Sequence, residues 1–136
     1  MRKPILFAAL LFAAGGCSAL KDKEAAEGAV TRFHQMVDAG QADAIYDAAS
    51  ADLKAVTSRK QFSQLVLTIH DRLGAVKDAK RQGWKVDYAN GEGTATLTYA
   101  TRFAAGEGKE DFVYRLGGAQ PALMGYHITS DALVAK

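Results

Sequence analysis

The chain has 136 residues, with 17 Lys plus Arg against 15 Asp plus Glu, a formal charge of +2. That length suits one hydrophobic core and leaves no room for a second domain of ordinary size, and the near-even charge lacks the basic surplus that supplies most nucleic-acid affinity. The only cysteine is Cys17, so no internal disulfide can form and the fold must be held by burial and hydrogen bonding.

The first stretch in chain order reads as an address. Arg2 and Lys3 make a positive end, Pro4 to Ala14 is an uncharged apolar run of eleven residues, and Ala14-Gly15-Gly16 places small side chains before Cys17. Such a run is too short to cross a bilayer, which takes about 20 apolar residues. This order resembles a bacterial lipoprotein signal. The resemblance implies cleavage before Cys17, a diacylglycerol on its thiol, acylation of the new amino terminus, and a domain anchored in the cell envelope facing the periplasm. It also implies the outer membrane, because Ser18 stands where inner-membrane members often carry Asp. The expected organisation is residues 1–16 as signal peptide, 17–23 as lipidated cysteine and polar tether, and 24–136 as a single α+β domain. Removal of Arg2 and Lys3 with the signal leaves 15 basic against 15 acidic residues.

Ala26, Ala29, Val30, Phe33, Met36 and Val37 recur at three- and four-residue intervals, which predicts a helix over 24–39 ended by Gly40. Ile45, Tyr46, Leu53 and Val56 anchor one or two short helices over 41–57. Ser58-Arg59-Lys60-Gln61 is a capping box, so a helix should start there, carry Phe62, Leu65, Val66, Ile69 and Leu73 on one stripe, and stop at Gly74.

After Gly74 the period falls to two. Trp84, Val86 and Tyr88 alternate with Lys85 and Asp87, and Asn90-Gly91 is hairpin chemistry leading to a partner strand over 94–103. There Ala95, Leu97, Tyr99, Thr101 and Phe103 share the inward face. A third strand sets Phe112, Tyr114 and Leu116 opposite Asp111, Val113 and Arg115. The last, over 122–129, sets Met124, Tyr126 and Ile128 opposite Leu123, Gly125 and His127. Helices followed by an antiparallel meander predict an α+β domain, with N-terminal helices on one face of a curved four-stranded sheet.

That order of elements resembles the cone-shaped nuclear transport factor 2-like (cystatin-like) fold. Phe33 to Tyr46, the segment from Phe62 to Leu73-Gly74-Ala75-Val76, and Gly125-Tyr126-His127-Ile128 are similar to a family of small exported bacterial domains of unestablished function. The superfamily includes enzymes, ligand binders and adaptors, so the resemblance implies a fold and no single activity.

A ketosteroid-isomerase-like pocket, an activity found on this fold, would need an inward carboxylate beside tyrosines. Strand parity turns Asp87 and Asp111 outward, and Asp38 and Asp43 flank the Gly40 turn, where solvated acids are common. His34 and Asp38 are four apart on one helix, but nothing in the sequence brings His70 and His127 to them, so neither a metal site nor a cofactor is expected. A Gly-x-Ser-x-Gly elbow is absent, and the glycine pairs join strands rather than cradle a phosphate. The leading expectation is therefore a lipid-anchored, non-catalytic domain binding a partner protein or a small apolar ligand. The ligand would sit in a hollow lined by Trp84, Tyr88, Tyr99, Phe103, Phe112, Tyr114 and Tyr126. The alternatives are a small isomerase- or hydrolase-like enzyme using that pocket, and a purely structural envelope lipoprotein that forms a homodimer through the outer sheet face bearing Thr94, Thr96 and Thr98.

Overall fold

A computed structural model of the chain describes residues 15–134, and side chains from residue 18 onward. Residues 1–14 of the signal read over 1–16, and the Cys17 side chain, lie outside the described residues. Four helices come first: α1 (Gly15–Asp38), α2 (Ala42–Ala48), α3 (Ala51–Val56) and α4 (Arg59–Leu73). Four strands follow, β1 (Val76–Ala89), β2 (Glu92–Phe103), β3 (Gly106–Arg115) and β4 (Ala122–Thr129), and a short α5 (Asp131–Val134) ends the described chain. The strands form one open antiparallel sheet in the order β1-β2-β3-β4, so the molecule is α+β with its helices preceding a four-stranded meander. Among the described residues no helix is long and apolar enough to cross a membrane.

Local chemistry explains the boundaries. At α4 both halves of the capping box form: the Ser58 hydroxyl accepts from the Gln61 N–H at 3.2 Å, and the Ser58 N–H donates to the Gln61 side chain at 3.1 Å. At α3 a single bond serves as the cap, the Ser50 hydroxyl accepting from the Leu53 N–H. Asn90 and Gly91 both hold positive φ, 54° and 77°, as a two-residue type I′ hairpin requires, and they join Ala89 to its partner Glu92.

Three features differ from the sequence reading. The tether expected over residues 18–23 is helical and belongs to α1. Its residues include the strong helix formers Ala19, Leu20, Lys21 and Lys23, a Lys23–Glu27 pair at 3.5 Å adds a turn-to-turn contact, and the segment lies against β1. A helix advances about 1.5 Å per residue, so these six residues span about 9 Å rather than the ~20 Å of an extended tether. Second, β1 starts at Val76, well before Trp84; its first half carries Lys77, Asp78, Lys80 and Arg81, the charge pattern of an edge strand. Third, a register shift opposite Val113 and Tyr114 makes Met124 an extra residue in β4, so Leu123 turns into the core together with Tyr126.

The core lies between α1, α2, α4 and the sheet. Its larger part gathers Val30, Phe33, Ile45, Leu53, Phe62, Val66, Leu97, Tyr99, Phe112, Tyr114 and Leu123. A smaller cluster of Ile69, Leu73 and Phe103 is closed by Val76, Ile128, Ala132 and Leu133. All five inward positions of β2 from Ala95 to Phe103 are buried, as their alternation predicts.

Candidate functional site

The inward face of β3 carries a carboxylate. Glu110 lies two residues before Phe112 and four before Tyr114, on the same face of the strand, and is 1% exposed. Its oxygens are engaged by three donors from three elements. His34 of α1 brings Nε2 to 2.8 Å from Oε1, Thr101 of β2 donates its hydroxyl to the same oxygen at 2.5 Å, and Tyr126 of β4 donates to Oε2 at 2.5 Å. His34, Thr101 and Glu110 are all buried. An unpartnered charge at this depth would be strongly destabilising, so these donors are the condition for placing Glu110 there.

Aromatic rings wall the cluster. Phe112 packs edge-on against Phe33 at 5.1 Å between centroids and against the His34 ring at 5.8 Å, and the Tyr126 ring lies 4.8 Å from Phe33 and 5.0 Å from Phe112. Burial first, and then the adjacent Glu110 charge, push the Tyr126 hydroxyl far above the ordinary phenol range. Burial does the same to Tyr114; it also raises the Tyr99 hydroxyl, with the Glu27 charge as the second cause.

One turn along α1 from His34, Asp38 meets His70 of α4. The Asp38 carboxylate lies 3.5 Å from His70 Nδ1, an ion-pair distance too long for a good hydrogen bond, and both side chains are part-exposed. This outer pair and the Glu110 cluster border one cavity, which Phe33, Val37, Val66, Ile69 and Phe103 also line. Its volume is about 10 Å³, room for a single water molecule and far below the several hundred Å³ of ordinary ligand pockets. The hollow expected between sheet and helices is filled by Phe33, Phe112, Tyr126 and their neighbours.

The seven expected lining residues therefore do not share one wall. Tyr99, Phe103, Phe112 and Tyr114 are core, Tyr126 is half-buried, and only Phe103 and Tyr126 border the small cavity. Trp84 and Tyr88 stand on the helix-covered face, opposite Leu97 and Gly93, but at the sheet edge, and are 40% and 56% exposed. Of the other candidates, His34, Asp38 and His70 converge, whereas His127 is exposed on β4 at 3.3 Å from the Thr129 hydroxyl. Asp43 accepts from Ser63; Asp111 accepts from Thr98 at 2.7 Å; Asp87 pairs with Lys85 at 3.2 Å on the surface. Among the described residues no three His, Cys, Asp or Glu side chains group as metal ligands would.

Glu110 is the residue that the sequence reading missed. A third strand read from Asp111 onward leaves Lys109-Glu110 unassigned, and a Lys-Glu pair just after Gly106 and Gly108 looks solvated. Counting back by twos from Phe112 finds it.

A second concavity lies outside the core. Leu53, Val56, Phe62, Leu65, Met124 and Tyr126 line a groove of about 210 Å³ where α3 and α4 meet β4, the edge strand that pairs only with β3. Val56 is 82% exposed on its rim and Leu65 about half exposed. Against known proteins, no family model and no curated sequence matches the chain.

Proposed function

We propose that the mature chain is a lipid-anchored, periplasm-facing domain of the nuclear transport factor 2-like cone type, held in the outer membrane through Cys17, that works by binding a partner protein and not by catalysis. The groove at the β4 edge carries this reading: Val56 and Leu65 leave apolar surface exposed beside a 210 Å³ depression that can receive one or two apolar side chains of a partner. The core supports it in the negative sense. A hollow of about 10 Å³ takes no substrate or apolar ligand, and a Glu110 whose oxygens already accept three hydrogen bonds is an anchored structural group.

A photo-crosslinking residue in place of Val56 tests the reading in cells. The expected result is a discrete adduct that disappears when Leu65→Asp is added, with none from the same residue placed at Thr96 on the opposite face of the sheet. Equal adducts from both positions, or none from Val56, would contradict it.

A second reading, acid–base chemistry, is favoured by one observation: a buried carboxylate contacts a histidine and a tyrosine at the floor of a cleft whose mouth holds Asp38 and His70. It requires α1 and α4 to part and admit a substrate. Small phenols titrated against the labelled protein would shift the resonances of Tyr126 and His34 on this reading and leave them unmoved on the first.

A further inference from the structure

Among the large apolar side chains exposed on the described residues, Trp84 and Tyr88 are the only aromatic ones; Val56, Leu65, Leu67 and Val134 are aliphatic and sit on α3, α4 and α5. Both aromatics are fastened to the start of α1. Lys23 Nζ stands 5.5 Å above the centre of the Trp84 ring, and the Tyr88 hydroxyl donates to Asp22. Leu20, half exposed, lies one turn before Lys23, and Lys21 between them is exposed. Cys17 is five residues before Asp22 on the same helix, about 8 Å along its axis.

We propose that Trp84 and Tyr88, with Leu20, Lys21 and Lys23, form a platform that lies in the headgroup layer of the phospholipid bilayer carrying the anchor. The inference rests on acylation of Cys17. An acyl group fixed one and a half turns from Asp22 brings this edge of the sheet, and not the β4 groove, against the lipid surface. Indole and phenol rings with one apolar face and one polar atom partition to that layer, and lysine stems reach from it to phosphates. The filled core explains why such rings stay outside: Trp84 and Tyr88 face the covered side of the sheet at its edge, where α1 meets them with Lys23 and Asp22. The rigid helix replaces a flexible tether, so the domain is held at a fixed tilt with the β4 groove turned away from the membrane edge.

Trp84 is the only tryptophan in the chain, so its fluorescence reports the platform directly. The full mature lipoprotein, extracted from membranes, is placed in vesicles of phosphatidylethanolamine and phosphatidylglycerol, with and without lipids brominated near the headgroup end of the acyl chains. The expected result is a shift of emission to shorter wavelength and loss of most of it on bromination, with neither change for Cys17→Ser protein mixed with the same vesicles. Protein that floats with the vesicles while Trp84 stays unquenched overturns the platform and leaves the anchor intact. Unquenched emission that shifts with protein concentration assigns the surface to a second copy of the chain and also overturns it. Protein that lacks an acyl group and does not float overturns the anchor, and the platform with it.

Discussion

Glu110 fixes three elements at one point, because His34, Thr101 and Tyr126 reach it from α1, β2 and β4. Removing it leaves two buried side chains, His34 and Thr101, and the half-buried Tyr126 hydroxyl without their acceptor. Glu110→Ala should therefore cost about 3–5 kcal/mol, the range for breaking a buried charged pair, read as a lower urea midpoint at unchanged slope. A loss below about 0.5 kcal/mol, the size of a neutral surface change, would contradict the structural role given to this carboxylate. The tyrosines make a second test at the same scale. Burial raises the Tyr114 and Tyr126 hydroxyls above the unfolded value near 10, so the folded state holds protons that the unfolded state releases. Their contribution is complete below about pH 10, the unfolded phenol value, and is lost as pH rises beyond it. In an alkaline titration, phenolate absorbance should rise in two stages, the second coinciding with loss of near-ultraviolet circular dichroism. A single stage with the native spectrum intact would show these hydroxyls to be open to solvent.

At the scale of elements, the α4 capping box should be worth about 1 kcal/mol to Ser58→Ala, measured by urea unfolding. Glycine substitutions separate tight from open positions. A Cβ on Gly106 would meet Ala132 Cβ at 2.9 Å and Leu73 Cδ2 at 3.4 Å, whereas one on Gly83 meets nothing within 4 Å. Gly106→Ala should lower the melting temperature, and Gly83→Ala should leave it nearly unchanged. The parts legible in the sequence were those decided by neighbours a few residues apart: the capping box, the Asn90-Gly91 hairpin, and the alternation of β2. Long-range packing decided the rest. The first half of β1 is charged because it is an edge, the inward turn of Leu123 follows from a register shift against β3, and α1 continues back through the tether because β1 gives it a surface to lie on. His34 looked like a helix-face histidine because its partner stands 76 residues away in the chain.

For the whole molecule, the legible part was the class. Helices before an antiparallel meander, with strands in sequential order, follow from where the period changes and where the turns fall. The expected ligand hollow did not follow, because whether seven aromatics enclose space or fill it depends on how closely α1 and α4 approach the sheet. They approach to leave about 10 Å³ beside Glu110, and two of the seven aromatics fall at the open edge. What remains is a tightly packed domain with two distinct surfaces: an aromatic edge next to Cys17 and an apolar groove at β4. With a core cavity of only about 10 Å³, that division gives the domain a function only if the first surface is tied to a membrane. The intact mass of the chain purified from membranes is the direct measurement. The expected result is a protein that begins at Cys17 and carries a diacylglyceryl group and an amino-terminal acyl chain. A chain that begins elsewhere, or one with an unmodified Cys17, would contradict it.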